Sequence, residues 1–590
     1  MSSLSRKVKL IAPIAAMALG ISTVLVACGN EPDTNTVAKF LPANALGFVS
    51  VAIDPSTDQK ANLFSMSRHL PEGVQAKDVD GVKDKLITDL LEDSDLDYEA
   101  DVKPWLGAEA AVAVLPSPNA THIPIVVAAL KTKDEKKTED ALKKAGLEAN
   151  TYRFMDDYVF LVSKDQVAEN EGAKALDAVA SVVDDGADKL ADAARYKGSL
   201  EALHGEHIVL GWVDTPGAVA EGRAAYEANK EEADSSIEDF GALGGLGSIL
   251  GSGNSSDDAT VDDTFDELQK AADKTGTSAF EVYIDDRQIV MESATEKAAP
   301  KEGDTSDRTI MNGLPGDTIF AFDTANTGKG LNALLDYIDK TAAESGNADS
   351  GVDNTAPSLR DLAGAIGNEG VLAVGSLAGL GENDIPDIGY VVDVRDEAAA
   401  TAALKGLAGE LGDLGIEATP ITGIEGTGFS FTQAATPSQD PYADENFDSG
   451  AFYDDEPASN DFSPVAFNQS GASVERTQMD SGSGTAVVAM ISKNRLIVSS
   501  SQEYATTLAN GSGDLGTTGG VATAFGDENH ALAFGLFVNA QAIVDYAVEQ
   551  GAADDMSAEE SAWTKSLDVV GAQSWSDDKH DYSEVRVAFK

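Results

Sequence analysis

The feature that most limits what this chain can fold into is that six stretches of its sequence recur in the same order. "FLPANALGFVSVAIDPSTDQKANLF" from Phe40 pairs with "GLPGDTIFAFDTANTGKGLNALL" from Gly313: each has Leu-Pro, an apolar run ending in Asp, a polar loop, a Lys and a helical pattern. "WLGAEAAVAVLP" matches "AIGNEGVLAVGS", and "IPIVVAALKTKDEKKTEDALKKAG" matches "IPDIGYVVDVRDEAAATAALKGLAG". "DDYVFLVSKDQVAENEG" answers to "SKNRLIVSSSQEYATTLANG", "HIVLGWVDTPGAVAE" to "HALAFGLFVNAQAIVDY", and "SAFEVYIDDRQIVMESA" to "HDYSEVRVAFK". A pattern duplicated in order must be buried by equivalent packing, so two homologous domains are expected, residues 40–298 and 312–590.

Short runs such as "GFVSVAID" and "HIVLGWVD", rich in Val, Ile and aromatics and bounded by turn residues, predict strands. "DEKKTEDALKKAG" has Leu and Ala at helical spacing and closes on Gly146, a helix stop. The fold class is therefore α+β, two tandem domains each with a mostly antiparallel sheet covered by helices. Two inserts without counterparts, about 235–263 and 436–484, read as flexible loops. The Gly-rich "FGALGGLGSIL" within the first is a weak helix at best; a lipid-facing helix or a lid is the alternative.

The order "LPANALGFVSVAID", "PWLGAEAAVAV", "IPIVVAALKTKDEKKTEDALKKAG" resembles a family of bacterial proteins catalogued only as a domain of unknown function, found in actinobacteria and cyanobacteria. That resemblance implies the same fold and brings no activity or site residues with it.

Arg6, Lys7 and Lys9 precede an apolar run from Leu10 to Ala27, the order of charge then hydrophobe in an export signal. A permanent membrane helix is the competing reading. Leu25-Val26-Ala27-Cys28 resembles the lipobox of bacterial lipoproteins, in which the cysteine thiol receives a diacylglycerol and the chain is cut before it. The resemblance implies a signal peptide over 1–27, lipidation at Cys28 and a tether over 28–39. Two acyl chains suffice for stable anchoring at a membrane. Cys28 is the only cysteine, so no intramolecular disulfide forms and the exported part relies on its core.

With 42 Lys and Arg against 100 Asp and Glu, the net charge is −58, which repels nucleic acid and anionic headgroups. Lipid, rather than charge, is then what holds the chain to a membrane.

The common catalytic signatures are missing from the sequence. "DTANTGKG" has Asp323 where a phosphate loop needs its first glycine and Gly330 where it needs a hydroxyl. "DSGSGT" around Ser483 lies in the second insert, where no scaffold would position a triad. His204, Glu206 and His207 suggest a metal site, but Gly205 breaks the helix between them, and His207 is expected to match His530 of the second half in a structural role. Asp93, Asp95 and Asp97 alternate as in a calcium loop, but Tyr98 and Pro104 stand where that loop needs Gly and Glu. No metal or other cofactor is assigned. The remaining candidates for ligand binding are Asp54 and Lys60, which recur as Asp323 and Lys329 at the end of the first strand and the entry to the next helix. A helix-capping carboxylate is the alternative reading there.

The sequence thus leads to a lipid-anchored protein on the extracytoplasmic face of the cell membrane, a non-catalytic binding or scaffolding protein whose partner is an envelope protein or a small ligand. A hydrolase using dispersed carboxylates and a carrier of an apolar ligand are the alternatives; paired carboxylates in a pocket would favour the first, a closed apolar cavity the second.

Overall fold

The strands begin where the β-branched and aromatic runs begin. The computed structural model describes residues 37–69, 96–117, 124–162, 171–184, 188–205, 207–228, 261–297, 305–344, 357–378, 380, 385–413, 415–433, 487–511, 513–526, 530–551 and 557–590. Cys28, Glu206, Asp93, Asp95, Ser483, most of the first insert and all of the second lie outside the described residues.

In the first half, β1 (Gly47–Ala52), β2 (Leu106–Leu115), β3 (Ile125–Thr132), β4 (Tyr152–Met155), β5 (Tyr158–Val162), β6 (Val209–Asp214), β7 (Thr275–Asp285) and β8 (Gln288–Lys297) occur singly or as consecutive pairs between helices. Helix Glu135–Lys144 shows why. The Asp134 carboxylate accepts the Lys137 amide at its start, Leu142 and Ala141 are its buried stripe, and Gly146 ends it with φ +78°. The second half contributes β9 (Phe320–Thr324), β10 (Ile366–Val374), β11 (Ile388–Val394), β12 (Ile416–Pro420), β13 (Thr427–Gln433), β14 (Val487–Ser492), β15 (Arg495–Ser499), β16 (Leu532–Val538), β17 (Leu567–Ser576) and β18 (His580–Phe589). Helices and a large antiparallel sheet make the fold α+β.

The chain divides into two compact units, and the division does not follow residues 298–312. One unit is Met1–Leu331, Gly367–Asp393 and Asn510–Lys590; the other is Asn332–Ile366 and Val394–Ala509. In the first unit, β4 pairs with β5, β5 with β3, β3 with β2, β2 with β1, β1 with β6, β6 with β7 and β7 with β8, all antiparallel. β8 then pairs with β18, from Gln288 opposite Ala588 to Glu296 opposite His580. Beyond that seam the neighbours run β17, β16, β9 and β10. Read outward from β8 and β18, the order is the same on both sides, with β7 answered by β17, β6 by β16, β1 by β9 and β2 by β10. The halves share one sheet because edge strands with free backbone groups pair with each other.

That sheet is buried on both faces where the first half crosses it. Phe48, Ala129, Phe160 and Trp212 belong to one core cluster with Leu176 and Tyr196 of the covering helices. Ala128, Leu130, Val159 and Leu161 point the other way, against Ala141 and Leu142. The second unit is built around the β12–β13–β14–β15 meander. Its helices Pro357–Ala365 and Glu397–Asp413 are joined by Ser358, which donates to Glu410 at 2.8 Å.

Candidate functional site

The seam between β8 and β18 sets three carboxylates in a row. Glu292 on β8 stands opposite Glu281 on β7 and, on its other side, opposite Glu584 on β18; Glu584 in turn faces Gln573 on β17. Like charges abreast on a sheet repel, and each outer carboxylate has its own relief. Glu281 is fully buried, takes the Gly205 amide at 3.2 Å on both oxygens, and has His207 Nδ1 at 3.3 Å. Glu584 accepts a fork from Arg586, Nε and Nη2 each at 2.9 Å, and an amide hydrogen from Gln573 at 2.7 Å. Burial works against the Arg586 charge, but these bonds to Glu584 outweigh it and hold the guanidinium above its ordinary range.

Over this row opens a cleft of about 920 Å³. Two ring stacks wall it. His204 lies on Tyr283 with centroids 4.6 Å apart and planes 10° apart, and His530 lies on Trp575 at 4.1 Å and 2°. Tyr582 covers Trp575 as well, at 5.2 Å. Tyr283 and Trp575 are counterparts, each two residues beyond the residue that pairs with Glu292 or Glu584. Burial raises the Tyr283 phenol above its usual range. Burial and the bond from its hydroxyl to Asp577, 3.0 Å, push Tyr582 up to about 12. Both rings are neutral donors in ordinary buffers.

The histidine match expected from the sequence is therefore corrected. His204, not His207, occupies the place of His530; His207 turns inward to Glu281, and so the two part company as metal ligands. Among the described residues, no group of three or more His, Cys, Asp and Glu could hold a metal ion. Asp97 caps the turn that follows it, accepting the Ala100 amide at 2.7 Å.

The Asp/Lys repetition is also corrected. Asp54 and Lys60 do meet, at 3.5 Å, but helix Thr57–Ser67, which holds Lys60, is capped by Ser56, which accepts the Gln59 amide. The amide of Leu46 reaches Val114 and that of Ile319 reaches Val374, which aligns Ser50, not Asp54, with Asp323. Lys60 bonds back to Ser56 as Gly330 does to Asn326, which aligns Lys60 with Gly330, not with Lys329. The connection after β9 is simply shorter than the one after β1, so the similar letters drift out of step. Lys329 lies in the first turn of helix Thr327–Glu344.

Asp323 is a core residue of β9 with 0% exposure, taking the Ser306 hydroxyl at 2.9 Å. Burial pushes its carboxyl up to about 7 against the pull of Ser306 and Arg308. Glu369 on β10 is raised to about 7 as well, by burial and then by the charge of Asp323, while the Ile310 amide opposes the shift. An acid raised in the folded state binds more protons than in the unfolded chain, so its contribution falls as pH rises from about 4 to about 7 and then levels. Asp323→Asn should remove that loss, narrowing the stability difference between pH 4.5 and 8 by roughly 2–4 kcal/mol relative to the parent. Melting curves of both proteins across that range check it; parallel curves would assign the slope elsewhere.

Residues 9–158 carry a domain described as a protein of unknown function (DUF3352). No curated protein and no solved structure matches the chain. Of the residues that line the cleft, Gln59 and Asn62 lie within the matched stretch and the others lie beyond it. The sequence reading missed Glu281, Glu292, Gln573, Trp575, Glu584 and Arg586 because it set "SAFEVYIDDRQIVMESA" against the last strand alone. Setting "FEVYIDD" against "AQSWSDD", β7 against β17, would have aligned Glu281 with Gln573 and Tyr283 with Trp575.

Proposed function

We propose that this protein is an exported lipoprotein, anchored through Cys28 on the extracytoplasmic face of the cell membrane, and that it is a non-catalytic binding protein built from two homologous halves. The observation that carries the binding role is the cleft over the β8–β18 seam, with matching ring stacks from each half. Its polar lining favours a small hydrophilic ligand over an apolar cargo. Of the carboxylates in the cleft, Glu584 is locked by Arg586 and Gln573, Asp285 reaches the same Arg586 and Asp577 accepts the Tyr582 hydroxyl, so these three are poorly placed to act as a nucleophile or general acid, which favours binding over hydrolysis. The anchor is supported by the basic flank, the apolar run and the Leu25–Cys28 box.

Cys28→Ser should abolish palmitate incorporation and leave an uncleaved precursor, since only a thiol accepts the diacylglycerol. Radiolabelling of cells expressing each form reads this out. Label retained by the variant contradicts the anchor.

A further inference from the structure

We propose that the cleft over the β8–β18 seam recognises an aliphatic ammonium, its charge set among the seam carboxylates and its methylenes against the ring stacks. This rests on the binding role proposed above and assigns the ligand's chemistry. Gln573 indicates what the ligand must supply. Its Nε2 donates to the Phe525 carbonyl at 3.1 Å and to Glu584 at 2.7 Å, so the amide cannot be turned over without setting its oxygen against two acceptors. Its Oε1 is then an acceptor, in a side chain 2% exposed at the cleft, and finds no partner among the described residues. A buried acceptor left unmade is costly, and a donor from the ligand satisfies it.

The charges around it determine which kind of donor fits. Asp285, Glu292, Asp577 and Glu584 border the cleft, and the only Lys or Arg among its lining residues is Arg586, which forks onto Glu584 and also reaches Asp285 at 3.4 Å. With four carboxylates against one guanidinium in the lining, a neutral polyol would satisfy Gln573 without adding positive charge; an anion would be repelled. An ammonium answers both, and the ring wall of Tyr582, Trp575 and His530 suits an alkyl chain carrying a cation.

The test is calorimetric titration of the full chain in detergent with spermidine, tetramethylammonium or maltotriose, at 0.15 M and 0.5 M NaCl. Spermidine is expected to bind at one site that survives the higher salt, and tetramethylammonium, a cation with no donor, roughly tenfold more weakly. Glu292→Gln should weaken spermidine by roughly tenfold, and the rim variant Asp285→Asn, at an exposed turn, by about threefold. Asp545→Asn, in a separate cleft, should leave it unchanged. Melting curves establish that each variant is folded, and Asp285→Asn decides the matter if Glu292→Gln is not. Many weak spermidine sites lost at 0.5 M NaCl and indifferent to both cleft variants would overturn the proposal, as would equal binding of tetramethylammonium. Binding of maltotriose without spermidine would overturn the ammonium assignment while leaving the cleft a binding site; no binding of any probe would tell against both.

Discussion

Arg586→Leu is expected to cost about 3–5 kcal/mol of stability, because it breaks a buried ion pair from one side only. The Arg586 side chain is 12% exposed and that of Glu584 7%, and Glu292 stands directly across the seam. Without the guanidinium, Glu584 keeps, among the described residues, only the Gln573 amide and faces another carboxylate in a poorly solvated place. Arg586→Leu combined with Glu584→Leu should recover much of the loss, since two apolar side chains leave no buried charge behind. Denaturant unfolding followed by tryptophan emission measures both. A single variant as stable as the parent would mean that the fork is not sequestered from water.

Gly571→Val should be comparably damaging for a different reason. A β-carbon on Gly571 would lie 1.9 Å from the carbonyl oxygen of Ala524 and 2.5 Å from its carbon, so helix Gly519–Phe525 must lift from β17. Overpacking against backbone has no flexible side chain to yield, and the cost is about 3 kcal/mol or more. The helix end carries the Phe525 carbonyl that fixes Gln573, so the variant should lose the cleft along with its stability. Gly409→Ala, in helix Glu397–Asp413 with open space around it, should instead gain about 0.5–1 kcal/mol. If Gly571→Val melts with the parent, the close approach of helix and strand is wrong.

Local structure was largely legible in the sequence. "GFVSVAID" contains β1, "HIVLGWVD" contains β6, and "DEKKTEDALKKAG" is a helix with its cap at Asp134 and its stop at Gly146. Periodicity and capping act within a few residues, so the letters record them. The β12–β13 hairpin was not foreseen, because its Thr, Gly and Glu positions read as loop. The seam was also missed. β8 reads QIVMESATEK, with polar residues on both faces, as an exposed edge strand would, and its partner β18 closes the chain far away in sequence. Three carboxylates abreast likewise look like solvated positions until the register sets them side by side. The Asp323 error has the same origin: a similar letter string was aligned across connections of different length, whereas backbone pairing determines the true counterparts.

The account depends most on the two halves meeting through β8 and β18, since that seam is the floor of the cleft. Ser293 and Ser583 stand directly opposite each other there, and the sole natural cysteine can be removed with Cys28→Ser. In that background Ser293→Cys with Ser583→Cys should form a disulfide on mild oxidation, because facing strand positions bring the β-carbons within bridging distance. Mass spectrometry of the digested, unreduced protein should find the two peptides joined, while Ser293→Cys with Ala588→Cys, out of register, stays reduced. Free thiols in the Ser293/Ser583 pair, or equal cross-linking of both pairs, would contradict the shared sheet and the cleft above it.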